Sequence, residues 1–254
     1  MIVHRVGLIA ALATLVLAPP AATASVEPGY ATSVVWSGYQ VAAAGVSLDH
    51  TSASWTEIRG RCVQGVPIVN TWVGLGDPIL GGPGVTRLEQ IGTWDACGNR
   101  TSHHSFWEDV PGPSHVIRNP VRPGDKMHAS VTITGHVVTM TLADNTGHWS
   151  FTKRLHVASI DERAAEWIVE EITNSGYSPR SAFAPVTFTH AQTRDTTGVT
   201  GTITSAPWVA NKIDLIAGSP QRLLALPSAL SASGASFRIT SQFTSPPSQP
   251  PPPV

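Results

Sequence analysis

Wherever this chain shows a regular pattern, apolar and polar residues alternate one by one, in runs too short for stable helices. Ala129 to Leu142 is the clearest case, with Val131, Ile133, Val137 and Met140 set among Thr and Ser and a turn signal at Gly135-His136. Val66 to Leu75, Trp149 to Val157 and Val186 to His190 read the same way. A period of two places successive side chains on opposite faces, so each run predicts a half-buried strand. Gly124-Asp125 and Asp144-Asn145-Thr146-Gly147 predict the tight turns between such strands. Strands at this density, without long segments of helical period, predict an all-β fold, an antiparallel β-sandwich or barrel.

One stretch is ambiguous. Glu162 to Ile172 places Glu166 and Glu170 on one face whether it is read as helix or as strand. Its Trp-Ile-Val centre favours a strand, and its flanking Ala and Glu favour a helix. The strand reading is adopted.

The two ends stand apart from this pattern. Met1 to Arg5 carries an Arg and a His, Val6 to Leu17 is an apolar run, and Ala22-Thr23-Ala24 supplies a small-x-small cleavage pattern. This layout predicts a signal peptide over residues 1–24 and hence a secreted, extracellular protein. The run is too short to span a bilayer, which takes about 20 apolar residues. Residues 244–254 are rich in Pro and Ser and predict a disordered or polyproline-like tail. Residues 25–243 then form one domain, since neither a repeat nor a linker divides them.

A net charge of −1 leaves no electrostatic footprint for nucleic acid or an anionic membrane surface. The two cysteines, Cys62 and Cys97, are expected to form a disulfide in an oxidising compartment. Neither lies in a CxxC or CxxH arrangement, so no metal site is expected from them. His103-His104, the one adjacent histidine pair, is a poor two-ligand site, because neighbours on a strand point to opposite faces. The chain has no G-x-S-x-G elbow, no H-E-x-x-H helix and no P-loop.

Six strings, in order along the chain, carry a resemblance. They are Trp36-Ser37-Gly38-Tyr39, Thr71-Trp72-Val73-Gly74-Leu75, Leu88-Glu89-Gln90-Ile91-Gly92, Phe106-Trp107-Glu108-Asp109-Val110-Pro111, Pro123-Gly124-Asp125 followed by Ser130-Val131-Thr132, and Ala165-Glu166-Trp167-Ile168-Val169-Glu170. Together they resemble the glutamic peptidases of family G1, the eqolisins. The resemblance implies a lectin-like, concanavalin A-like jelly-roll sandwich with its active site on a concave sheet face. It also implies that Glu166 to Glu170 is strand.

It further implies a catalytic pair, Glu170 and Gln90, acting on polypeptide substrates at acidic pH without metal or organic cofactor. Glu170 would serve as general base and then general acid. Gln90 would hold the attacking water and stabilise the oxyanion. Trp72 and Trp107 are candidates to line the substrate cleft, and Glu108 and Glu166 to tune or support the site. Two departures stand out. Val110 replaces the family Tyr before Pro, and few residues separate the predicted cleavage from Trp36, so no long propeptide is expected. A monomer is expected. The other reading left open is a catalytically silent sandwich that binds peptide or carbohydrate, since fold alone does not fix function.

Overall fold

The computed structural model describes residues 28–43, 45–58, 68–76, 87–97, 101–158, 163–172, 183–205, 207–217 and 220–242. The expected signal peptide, the Pro-rich tail, Cys62 and the side chain of Cys97 lie outside the described residues. Among the described residues the regular structure is sixteen strands and no helix. In chain order they begin with β1 (Gly29–Ser33), β2 (Trp36–Ala43), β3 (Leu48–Thr56), β4 (Ile68–Gly76), β5 (Leu88–Cys97) and β6 (Thr101–Val110). There follow β7 (His115–Ile117), β8 (Lys126–Thr134), β9 (Val137–Asp144), β10 (Trp149–His156) and β11 (Ala164–Ile172). The last are β12 (Val186–Asp195), β13 (Thr200–Gly201), β14 (Trp208–Ala217), β15 (Arg222–Pro227) and β16 (Phe237–Ser241).

The expected all-β fold is therefore found, and the ambiguous stretch is strand β11. β8 and β9 show the alternation read from the sequence: every second side chain, from Met127 to Ile133 and from Val138 to Asp144, is buried. Gly124, at φ 97°, and Gly135, at φ 57°, make the turns at either end of β8; their left-handed backbone suits a residue without Cβ.

The strands follow one hydrogen-bonded path, β10-β9-β8-β3-β12-β16-β15-β14-β2-β11-β4-β5-β6-β7, with β13 beside β12. Pairing is antiparallel except for β1, which runs parallel to β14. The path changes layer at β12. Its Val186–Phe188 segment pairs with β16, whereas Thr189 onward pairs with β3, with a register break between Thr189 and Gln192. His190 sits in that break at φ 55°. An irregularity of this kind bends a strand and lets it serve two sheets.

The two halves of the path stack face to face, β4, β5 and β11 against β3, β8 and β9. Between them lies one apolar core. Tyr39, Val73, Ile91 and Trp167 come from one layer, and Trp55, Ala129, Val131, Met140 and Leu142 from the other. Trp167 has no exposed surface, and its indole N–H crosses the interface to the Ser52 carbonyl at 2.9 Å. Burying an indole without such a partner would leave a donor unsatisfied. No helix of the described residues is long and apolar enough to cross a membrane.

Candidate active site

The other face of the β2-β11-β4-β5-β6 layer carries the expected site. Period two along β11 sends Glu166, Ile168 and Glu170 to this face and Ala165, Trp167 and Val169 to the core. Cross-strand register extends the face. Glu170 stands opposite Trp36 on β2 and Asn70 on β4, and Ile168 opposite Trp72. Trp72 stands opposite Gly92 on β5, and Gln90 opposite Gly74 on one side and Glu108 on the other.

Glycines make room on this face. A Cβ at Gly92 would lie 2.1 Å from the Thr71 carbonyl oxygen and 2.7 Å from Trp72 Cα. At Gly74 it would lie 2.7 Å from Leu88 and 3.1 Å from the Trp72 ring. These two positions, one on each strand, let the large Trp72 side chain lie flat on the sheet. Trp36 meets its ring edge-on at 5.1 Å between centroids, a favoured aromatic geometry.

The half-buried Glu170 carboxylate is held by donors. Its Oε2 accepts from Trp72 Nε1 at 3.0 Å and from Asn70 Nδ2 at 3.4 Å. Burial pushes its pKa above the ordinary carboxylate value. Hydrogen bonds from Trp36, Trp72 and Asn70 pull it back, and the charge of Glu108 pushes it up again. Gln90 is buried, and its Nε2 donates to Glu108 Oε2 at 2.8 Å. Its Oε1 is buried with no protein partner among the described residues, leaving a pre-positioned acceptor. Burial likewise raises the Glu108 carboxyl, against the hydrogen bond from Gln90.

Glu170, Gln90, Glu108 and Trp72 thus share one polar face. Glu166 shares it too; it is fully buried and accepts from Gln40 Nε2 at 2.6 Å. Trp107 is on the opposite face of β6 from Glu108. It stacks on His115 at 4.0 Å and carries Lys153 Nζ 4.6 Å above its ring. The structure therefore places Trp107 away from Glu170, whereas Trp72 touches it. Val110 packs beside Leu88 and Phe106 in the apolar cluster of the Glu170 face. Trp36 and Asn70, which hold Glu170, carry no signal in the sequence beyond the place of Trp36 in the first matching string. Only cross-strand register brings them to the carboxylate.

The fold is a β-sandwich, and this face carries the Glu170 carboxyl group and the Gln90 amide. The peptidase A4 family profile matches residues 34–236. The chain belongs to that family, the glutamic peptidases of family G1, and is a glutamic-type endopeptidase. Two solved structures of scytalido-glutamic peptidase, one with a peptide-based transition-state analogue and one with a transition-state analogue inhibitor, share its fold. Their TM-scores are 0.67 and 0.65, each at 20% identity over 82% of this chain and 98% of that one. The eqolisin SCP-B in complex with the tripeptide Ala-Ile-His is similar at a TM-score of 0.64 and 19% identity, again over 82% of this chain and 98% of that one. A search among curated proteins finds no match.

Proposed function

We propose that this endopeptidase works through a Glu170/Gln90 dyad at acidic pH, on polypeptides outside the cell. The observation that carries this reading is the Glu170 carboxylate, held at 3.0 Å by the Trp72 indole on the same sheet face as the buried Gln90 amide. A general base works best with a pKa near the working pH, and burial moves Glu170 upward from the usual carboxylate value.

In this mechanism Glu170 takes a proton from water as that water attacks the scissile carbonyl carbon. Gln90 Oε1 accepts a hydrogen bond from the water, and its amide N–H faces the oxygen that becomes negative. When the tetrahedral intermediate collapses, Glu170 returns the proton to the leaving amine and the C–N bond breaks. Glu108 orients the Gln90 amide by accepting one of its N–H groups, which aims the Oε1 acceptor. Export through the signal peptide and a Cys62–Cys97 disulfide belong to the same proposal, supported by the tripartite N-terminus and the cysteine pair.

The test is cleavage of a denatured protein by the mature chain across pH 2 to 8 (a range of about six units), with pepstatin and a chelator present. Glu170→Gln is expected to lower kcat by about 10³-fold or more, and Gln90→Ala by about 10²–10³-fold. Both variants should keep the wild-type circular dichroism spectrum. Folded variants that cleave as well as wild type would remove the dyad and bring the silent binding module forward.

A further inference from the structure

We propose that Glu57, Asp95 and His103 bind one divalent transition-metal cation, zinc by the chemistry of the donors, between the two layers. The cation would join the end of β3 to β5 and β6. None of the three belongs to the catalytic face. Asp95 and His103 are direct cross-strand partners on β5 and β6. They project from the core side of that layer, in line with Ile91 and Thr93 rather than with Gln90. Glu57 follows the last residue of β3, in the other layer.

The geometry points to coordination. One imidazole nitrogen and one oxygen from each carboxylate all lie within 4.8 Å of one another. His103 Nδ1 is 2.5 Å from Asp95 Oδ1 and 4.0 Å from Glu57 Oε1. Around a tetrahedral zinc with bonds of about 2.0–2.2 Å, neighbouring donors sit about 3.4 Å apart. The first distance has to open and the second to close, each by less than about 1 Å. Such shifts lie within the reach of side-chain torsions.

The surroundings are set for a cation. Glu57 cannot drift, because its N–H donates to the Asp125 carbonyl at 2.8 Å and its carbonyl accepts from Gly124 at 2.9 Å. Trp55 Nε1 donates to Glu57 Oε2 at 3.4 Å, and Oε1 lies on the imidazole side, 4.0 Å from His103 Nδ1. Asp95 is 1% exposed, and its Oδ2 is buried with no hydrogen-bond partner among the described residues. A fully desolvated carboxylate oxygen without a donor is unfavourable, and a coordinated cation supplies the missing positive charge. The acidic groups that surround His103 are Asp95, Glu57 and Asp125, all carboxyl groups. A set of one nitrogen and two carboxylate oxygens suits zinc better than calcium or magnesium, which prefer all-oxygen shells. Three protein ligands leave one coordination position for water.

Chelator-treated wild-type protein, titrated with zinc chloride at neutral pH in a calorimeter, is expected to take up one equivalent and to gain a higher thermal midpoint. His103→Ala and Asp95→Asn should each weaken uptake by at least about 100-fold and abolish the midpoint gain. Glu170→Gln, on the opposite face, should titrate like wild type. X-ray absorption at the zinc edge should show nitrogen and oxygen neighbours at about 2.0–2.2 Å and no sulfur. A wild-type chain without saturable uptake overturns the site, whatever the variants do. So does undiminished uptake in both substituted proteins, or a sulfur shell at the metal. The outcome is independent of the peptidase dyad, because none of these readouts uses catalysis.

Discussion

The two faces of the β4-β5-β6 layer treat their carboxylates in opposite ways, although one strand serves both. β5 sends Gln90 to the open face and Asp95 to the core side, because they lie an odd number of positions, five, apart. On the open face Glu170 is surrounded by neutral donors, two indoles and an amide. On the core side Asp95 has one imidazole partner and a bare oxygen. Neutral N–H donors around a half-buried carboxylate hold it in place while letting it exchange protons, which suits a general base. A buried carboxylate oxygen without a donor, beside an imidazole and a second carboxyl group, suits a cation. Donor supply, more than burial alone, separates the two regions.

That contrast can be tested from the open face. Trp72→Phe keeps an aromatic on the sheet but removes one donor from Glu170. A hydrogen bond to a charged group contributes about 1.5–3 kcal/mol, so kcat/KM should fall about 10–100-fold. Trp72 lowers the Glu170 pKa, so its removal raises it. The acid limb of the pH–rate profile, where the base becomes protonated, should therefore move to higher pH.

Glu108→Gln gives the opposite sign and a smaller loss. The Glu108 charge raises Glu170, so neutralising it lowers the Glu170 pKa and moves the acid limb to lower pH. A profile from initial rates in constant-ionic-strength buffers checks both shifts. Movement in the same direction for the two variants would contradict the electrostatic account of Glu170. The smallest effect belongs to Trp107→Phe, which touches only the other face of β6. Its kcat/KM should stay within about twofold of wild type. A rise in KM of tenfold or more would bring Trp107 back into the substrate cleft.

Much of this molecule was legible in the chain itself. The strands of Ala129 to Leu142 and their Gly135 turn follow from alternation, and β11 follows from its Trp-Ile-Val centre once the helical reading is set aside. The family strings carried Glu170, Gln90, Glu108 and Trp72 onto a common face. The same reading paired Trp107 with Trp72 as a cleft residue, yet a strand places Trp107 and Glu108 back to back. His103-His104 illustrates the complementary lesson. The pair divides between faces as its spacing requires: His104 stacks on Trp94 at 4.2 Å, while His103 turns to Asp95. The two rings point apart, and His103 finds its partner Asp95 on the neighbouring strand.

Alternation along a strand is a local property. Steric constraints on the extended backbone fix which residues share a face, so the chain by itself determined an all-β fold and the alignment of Glu166 with Glu170. Which face meets which, and in what register, depends on contacts between distant segments. Asn70 reaches Glu170 only because β4 pairs with β11, and Glu57 approaches Asp95 only because one layer folds over the other. Those encounters are selected by burial of the shared core, a free energy summed over the whole sandwich. No short stretch of sequence contains it.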